Sequence, residues 1–483
     1  MESVLKGLKP ECVFKNFEKI CQVPRESEHE EKISAFLLDF GKSLGLETIQ
    51  DENLNIIIRK PATKGYENCP GVVLQGHMDM VCEKDSGVEH DFTKDPIKLK
   101  IDGDMISAQG TTLGADNGIA VAMAMSILES NDIDHPSLEV LITSNEENGM
   151  TGAFALDGSL IKGKYILNLD SDVEGELLVS CAGGRAAVSK FPVEYVDACS
   201  EKQALVLEIS GLAGGHSGVE IGEQKGNANK LMGRLLSLLN VDYDLAKIEG
   251  GTKHNAIPNN AKATILVAKE NVAKLSKCVS EVESIFQGEF STSDPNVKIS
   301  CTETTANKVF TNDLKDKVMQ MLTLLPNGVQ TMSMDIKGLV ESSANIGVVE
   351  TTESEVTFLT SVRSSVASLK DEVINRIVIL TEALAGTAQT EGDYPAWEYV
   401  KDSKLEKICV ENYSKVFNKD VKVSALHAGL ECGVLLSKIA NAEAISFGPN
   451  LYDIHSPRER MSISSTQNIW EYLVAVLKSM NQY

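Results

Sequence analysis

The sequence predicts an α/β fold: a discontinuous domain with a mixed, mainly parallel sheet flanked by helices, carrying an inserted α+β domain. Three observations lead there. Short apolar runs bounded by turn residues alternate with helical stretches through the first part of the chain. The pattern changes character at Cys181-Ala182-Gly183-Gly184-Arg185, and a helix–strand–helix pattern returns from about Glu391. The division that follows is 1–183 and 389–483 for the discontinuous domain, with 184–388 as the insertion.

The elements follow in chain order. Glu30–Leu44 has apolar residues at helical spacing. Asn55–Arg59, Gly71–Gln75, Leu138–Thr143 and Tyr165–Leu169 are short, almost wholly apolar runs, the pattern of strands buried on both faces. Gly118–Leu128 is rich in Ala and Met and apolar all round, which predicts a helix packed inside. In the insertion, Ala204–Ile209, Lys262–Val267 and Val356–Val362 read as strands. Ala228–Leu239, Val272–Phe286 and Leu369–Ala385 read as helices. Ala444–Phe447 and Ser465–Met480 predict a last strand and a closing helix.

Composition excludes several functions. With 46 Lys and Arg against 69 Asp and Glu the net charge is −23, which opposes phosphate-tracking contact with nucleic acid and binding to anionic membranes. No apolar run approaches the roughly 18 residues of a membrane span, and Met1–Phe14 lacks the pattern of a signal peptide. Ten scattered cysteines with no CxxC pair read as reduced thiols, which places the chain in the cytoplasm. Cys82 and Cys432 lack an adjacent base and read as inert.

Of eight histidines, His77, His216, His254, His427 and His455 sit in polar or Gly-rich surroundings; His29, His90 and His135 read as solvated. In Gly76-His77-Met78-Asp79 a strand ends, and two-residue spacing puts His77 and Asp79 on one face, so Asp79 can orient the imidazole. Gly114-Ala115-Asp116-Asn117-Gly118 precedes the apolar helix. Glu146 and Glu147 follow one buried strand and Asp170 another, while Asp453-Ile454-His455 lies beyond the insertion. Singly, these also fit a His–Asp contact, a turn, a helix cap or an acidic loop. Together, His77, Asp116, Glu147, Asp170 and His455 are two imidazoles and three carboxylates at element ends. That is a ligand set for two Zn²⁺ or similar ions with one carboxylate shared.

The His77-Met78-Asp79 run, Gly114–Gly118, the Thr-x-x-Glu-Glu-x-Gly-x-x-Gly-Ala at 143–153 and Asp170 resemble the co-catalytic metallopeptidases of the M20 family. Asn168–Ser171, His427–Gly433 and Phe447-Gly448-Pro449 leading to Asp453–Pro457 resemble its aminoacyl-histidine dipeptidase subgroup, and the similarity runs through essentially the whole chain.

That resemblance implies a role for each residue. Asp116 bridges two divalent ions, most simply Zn²⁺, with Co²⁺ or Mn²⁺ suited to the same ligands. His77 and Asp170 complete one site, Glu147 and His455 the other. Asp79 orients His77, Glu146 is the general base, and the Asp116–Asn117 peptide is cis. The insertion is a lid whose His216 meets the substrate carbonyl. Asn255 and Arg363 hold a terminal carboxylate, and His427 and Glu431 lie near the substrate. The activity implied is hydrolysis of unblocked dipeptides, Xaa-His included, by a metal-bridging water that Glu146 activates. The length of the lid leaves open a homodimer and whether His216 acts within its own chain. An N-acyl-amino-acid amidohydrolase and a non-catalytic metal-dependent peptide-binding scaffold are the alternatives. Asp172, Glu174 and Glu176 as spare acids for a substrate ammonium favour the peptidase over the first, and Glu146 favours it over the second.

Overall fold

The computed structural model describes residues 3–483, which divide into two compact units. The first comprises the chain to Ser180, Tyr399–Ala425 and Leu430–Tyr483; the second comprises Cys181–Glu398 and Leu426–Gly429. Chain reversal into the first unit comes later than residue 389, because Thr387–Tyr394 pairs antiparallel with Gly183–Pro192 as an edge of the second unit's sheet.

The first unit is built on an eight-stranded sheet in the order Glu47–Gln50, Ile56–Lys60, Leu138–Thr143, Val72–His77, Tyr165–Asn168, Glu443–Ser446, Glu176–Cys181, Lys422–Leu426. Four neighbouring strands, from Leu138–Thr143 to Glu443–Ser446, run parallel, and the pairings that flank them are antiparallel. Every residue of Val72–His77 and Leu138–Thr143 is buried, which is why these runs show no polar alternation. Register sets His77 beside Thr143 and Gln75 beside Asn168, so three strands end together and the chain beyond each enters one region.

Helix Ala115–Glu129 packs on Val72–His77 with almost every residue buried, as its Ala/Met composition requires. The approach is close enough that a Cβ at Gly76 would collide with the Asn117 side chain. Ile463–Ser479 closes the chain, its first turn capped by the Ser462 hydroxyl accepting from Ser465 N–H at 3.1 Å.

In the second unit the main sheet is antiparallel. Its order is Lys298–Thr304, Lys202–Ser210, Ala261–Ala268, Tyr243–Gly250, Val340–Thr351, Glu355–Ser364, Gly183–Pro192, Thr387–Tyr394, with Gly328–Met332 paired to Val340–Thr351. Helices Ala228–Leu238, Val272–Glu289, Asn312–Leu324 and Ala367–Ala383 bury Met232, Leu235, Phe286, Leu322 and Ile377 in one core with it. Among the described residues no helix is long and apolar enough to cross a membrane.

Candidate metal centre

Beyond the parallel strand ends of the first unit, the structure brings His77, Asp116, Glu147, Asp170 and His455 together. His77 Nε2 stands 3.2 Å from Asp116 Oδ1 and 3.5 Å from Asp170 Oδ1. His455 Nε2 stands 3.1 Å from Asp116 Oδ2 and 3.0 Å from Glu147 Oε2. The two oxygens of Asp116 therefore face different histidines. Ligand atoms of His77, Asp116 and Asp170 lie within 4.8 Å of one another, as do those of Asp116, Glu147 and His455, and those of His77, Glu146 and Glu147.

Local structure explains the placement. Asp79, 0 % exposed, lies 3.3 Å from His77 Nδ1, which leaves Nε2 facing the carboxylates. Its oxygens also accept the N–H groups of Glu146 at 3.0 Å and Glu147 at 3.2 Å and the Ser27 hydroxyl at 2.8 Å. One buried carboxylate thus holds both the imidazole and the Glu146-Glu147 turn. Asn117 accepts His77 N–H at 3.2 Å and donates to Leu169 O at 2.9 Å, and the Asp116–Asn117 peptide is cis. Asn145, Asp453 and His455 adopt positive φ, which costs about 1 kcal/mol or more for a non-glycine residue and is characteristic of constrained sites.

The electrostatics are those of an anionic cluster short of positive charge. Burial, reinforced by Asp170, Glu431 and Glu147 and opposed by His77, pushes Glu146 well above the usual carboxylate range. Burial likewise takes Asp170 up to about 6. Bonding to Asp116 and Glu147 raises His455 to about 10. Burial works against a charged His77, yet Asp170, Asp116 and Asp79 raise it well above the usual imidazole value. The donors fit divalent cations: two imidazoles and three carboxylates at close range, with Glu147 Oε1 buried and without a donor among the described residues.

Glu431 lies behind the strand ends, 1 % exposed, with Oε2 accepting from Gln75 Nε2 at 2.6 Å and from the Thr143 hydroxyl at 2.7 Å. Burial lifts it to about 7. Nothing in the sequence marked Gln75 or Thr143 as its partners. The spare acids are fewer than expected. Glu176 is engaged by Lys422 and Ser424 and Glu174 by Asn468, which leaves Asp172, close enough to feel the charge of Asp116. His135, read as solvated, is buried instead, with Nδ1 2.6 Å from Pro136 O. Burial also pushes the Cys82 thiol up to about 12, the opposite of nucleophilic activation.

The remaining candidates belong to the second unit. Arg363, on Glu355–Ser364 and 8 % exposed, donates from Nη1 to the Tyr394 hydroxyl at 2.6 Å, while its buried Nε has no acceptor among the described residues. His427 Nε2 meets the Ser343 hydroxyl at 2.7 Å, and burial with Arg363 takes its pKa down to about 3. Gly218 and Val219 N–H point at His216 Nδ1 at 3.3 and 3.2 Å. Burial and then Arg363 lower the His216 pKa, so the neutral ring carries its proton on Nε2 as a donor. Asn255 gives its carbonyl to Ser217 N–H at 2.9 Å on the same loop pair.

Comparison with known proteins gives the family. The model of peptidase family M20/M25/M40 matches residues 73–479. The chain is 38% identical over 481 residues to the cytosol non-specific dipeptidase of Escherichia coli K12, covering 99% of each. It superposes on the crystal structure of aminoacylhistidine dipeptidase from Vibrio alginolyticus with a TM-score of 0.95 and 37% identity, covering 99% of this chain and 98% of that one. Aminopeptidase PepT from Bacillus cereus shares the fold at a TM-score of 0.57 and 16% identity, over 98% of this chain and 99% of that one. With a family model spanning most of its length and a full-length relative at this identity, the chain belongs to peptidase family M20/M25/M40.

Proposed function

We propose that this protein is a metal-dependent dipeptidase that cleaves unblocked dipeptides, Xaa-His among them. The observation that carries the reading is Asp116, whose oxygens face His77 and His455 separately, so that two donor sets share one carboxylate. His77, Asp116 and Asp170 would hold one divalent ion, and Asp116, Glu147 and His455 the other. Zn²⁺ is the natural occupant, and Co²⁺ or Mn²⁺ suits the same atoms. Two such ions, when bound, supply the positive charge that makes water nucleophilic near neutral pH.

The chain's own residues do the rest. Glu146, adjacent to Glu147 and buried among carboxylates, takes a proton from the attacking water and returns it to the departing amine. Asp79 orients His77 and the Glu146-Glu147 turn together. His216 offers a proton at Nε2 to the carbonyl oxygen as charge develops there. Arg363 is a buried guanidinium facing a neutral phenol, and a terminal carboxylate is the partner such a group lacks. By this reading Asn255 and His427 border that subsite, His427 close enough to feel the charge of Arg363. On the same reading Glu431, buried against Gln75 and Thr143, lies near the substrate. The relative named for the cytosol and ten scattered cysteines with no CxxC pair fit a cytoplasmic enzyme, and the length of the insertion leaves room for a homodimer.

The test is hydrolysis of Ala-Ala, Gly-Leu, β-Ala-His, N-acetyl-Met and a tripeptide by metal-free and Zn²⁺- or Mn²⁺-reloaded protein. Metal-dependent cleavage of the free dipeptides, lost in Glu146→Ala while two ions stay bound, is the expected result. Cleavage of the acetylated compound alone would make the protein an acylase, and two bound ions without turnover would make it a scaffold.

A further inference from the structure

Glu459 is an acid to which the proposed reaction assigns no step, yet it occupies a demanding position. It is 2 % exposed and accepts four successive backbone N–H groups: Leu113 at 2.7 Å and Gly114 at 2.8 Å on Oε2, Ala115 at 2.8 Å and Asp116 at 3.2 Å on Oε1. These amides form the turn that delivers Asp116, and they precede or open the helix, so without Glu459 they would be unpaired donors in the interior. Gly114 has φ +68, and a Cβ there would collide with the Arg25 guanidinium. Arg25 in turn donates to the Met78 and Asp79 carbonyls, both at 3.2 Å, and to the Gly114 carbonyl.

The other end of Glu459 is tied to His455. Glu459 N–H donates to Ser456 O at 3.0 Å, the Ser456 hydroxyl donates to Asp453 O at 2.7 Å, and Arg460 pairs with Asp453 at 3.3 Å. The loop that carries His455 and the turn that carries Asp116 lie 339 residues apart in the chain, and besides the His455–Asp116 contact itself the Glu459 side chain ties them together. We propose that Glu459 is a positioning residue: it fixes the Asp116 carboxylate against His455 so that one carboxylate serves both donor sets. This rests on the reading that those sets hold two ions.

Glutamine keeps the shape of Glu459 but replaces one acceptor oxygen by a donor, which turns two of the four amides from partners into clashes. The experiment titrates metal-free wild type, Glu459→Gln and Glu139→Gln with Zn²⁺ against a chelator, and with Co²⁺ followed by its visible absorption. Glu139 is the control because it too is buried and accepts two amides, Lys162 and Gly163 N–H at 2.7 Å each, but at the opposite end of its strand from the candidate centre. Both variants lose melting temperature. The expected result is a 10–100-fold weaker second Zn²⁺ equivalent and a changed Co²⁺ spectrum in Glu459→Gln alone, with kcat falling and KM for Gly-Leu within about twofold. Should Glu459→Gln not fold, Glu459→Asp, which keeps the charge but shortens the reach, is read for the same weaker second equivalent. Two ions bound with wild-type affinity and spectrum in the folded variant would overturn the proposal. Fewer than two ions in wild type would instead overturn the two-ion reading itself.

Discussion

The buried titratable groups of the two units face opposite problems. In the first unit they are chiefly acids: burial drives Glu146 well up, Glu431 to about 7 and Asp170 to about 6, and their mutual repulsion adds to it. In the second the candidate site residues include two bases: burial and Arg363 drive His427 to about 3 and hold His216 down. One cluster gathers negative charge beyond parallel strand ends, where several loops converge. The other gathers a cation and neutral donors along antiparallel strands, where Arg363 lies opposite Ser343. The contrast teaches that each set of residues is electrostatically incomplete in its own sense, the first toward cations and the second toward an anion.

The largest effect that could break this contrast belongs to Asp116. Asp116→Ala removes the carboxylate common to both donor sets and should lower kcat/KM at least about 10⁴-fold, with fewer than two ions by elemental analysis. Two tightly held ions in that variant would mean that the acidic cluster is not organised around Asp116. Glu146→Gln comes next, with kcat down about 10³-fold while two ions remain, which separates the proton-handling acid from the ligating ones.

On the second unit's side, Arg363→Ala should raise KM about 10–100-fold, the worth of charge-assisted bonds to a carboxylate. A dipeptide with an amidated C-terminus sharpens this, because wild type should lose affinity for it while the variant is indifferent. The smallest effect concerns stability. The folded pKa of His427 is depressed from 6.5 to about 3, so between those values the unfolded chain binds the extra proton and stability falls as pH drops. Chemical denaturation at pH 7 and 4.5 should show His427→Asn losing about 1–3 kcal/mol less than wild type over that interval. An equal loss in both would place the acid sensitivity elsewhere.

The sequence and the structure agree best where chemistry and periodicity are both local. The all-apolar strands, the Ala/Met helix and the His77-x-Asp79 spacing carry their meaning in a few consecutive residues. Val340–Thr351 has no such local signature, because its buried side chains include Ser342, Ser343 and Asn345, whose partners lie on other segments. The insertion runs past residue 388 because Thr387–Tyr394, a polar, largely exposed edge strand with no apolar signature, belongs to its sheet. Glu459 gave no sign of itself: in Arg458-Glu459-Arg460 it reads as a surface acid, and its role exists only once residues 113–116 fold against it. Arg25, Ser27 and Tyr394 were invisible for the same reason, since each acts on groups far away in the chain.

In the proposed function, Asp116 is shared between two ions and Glu146 handles the proton as a free dipeptide is hydrolysed. Stepwise addition of Zn²⁺ to metal-free protein, with β-Ala-His hydrolysis followed at each step, tests it most directly. The expected result is no activity without metal and a rise that levels off at two equivalents in wild type, with no rise in Glu146→Gln loaded to the same extent. Turnover by the metal-free protein, or a plateau at one equivalent, would contradict it.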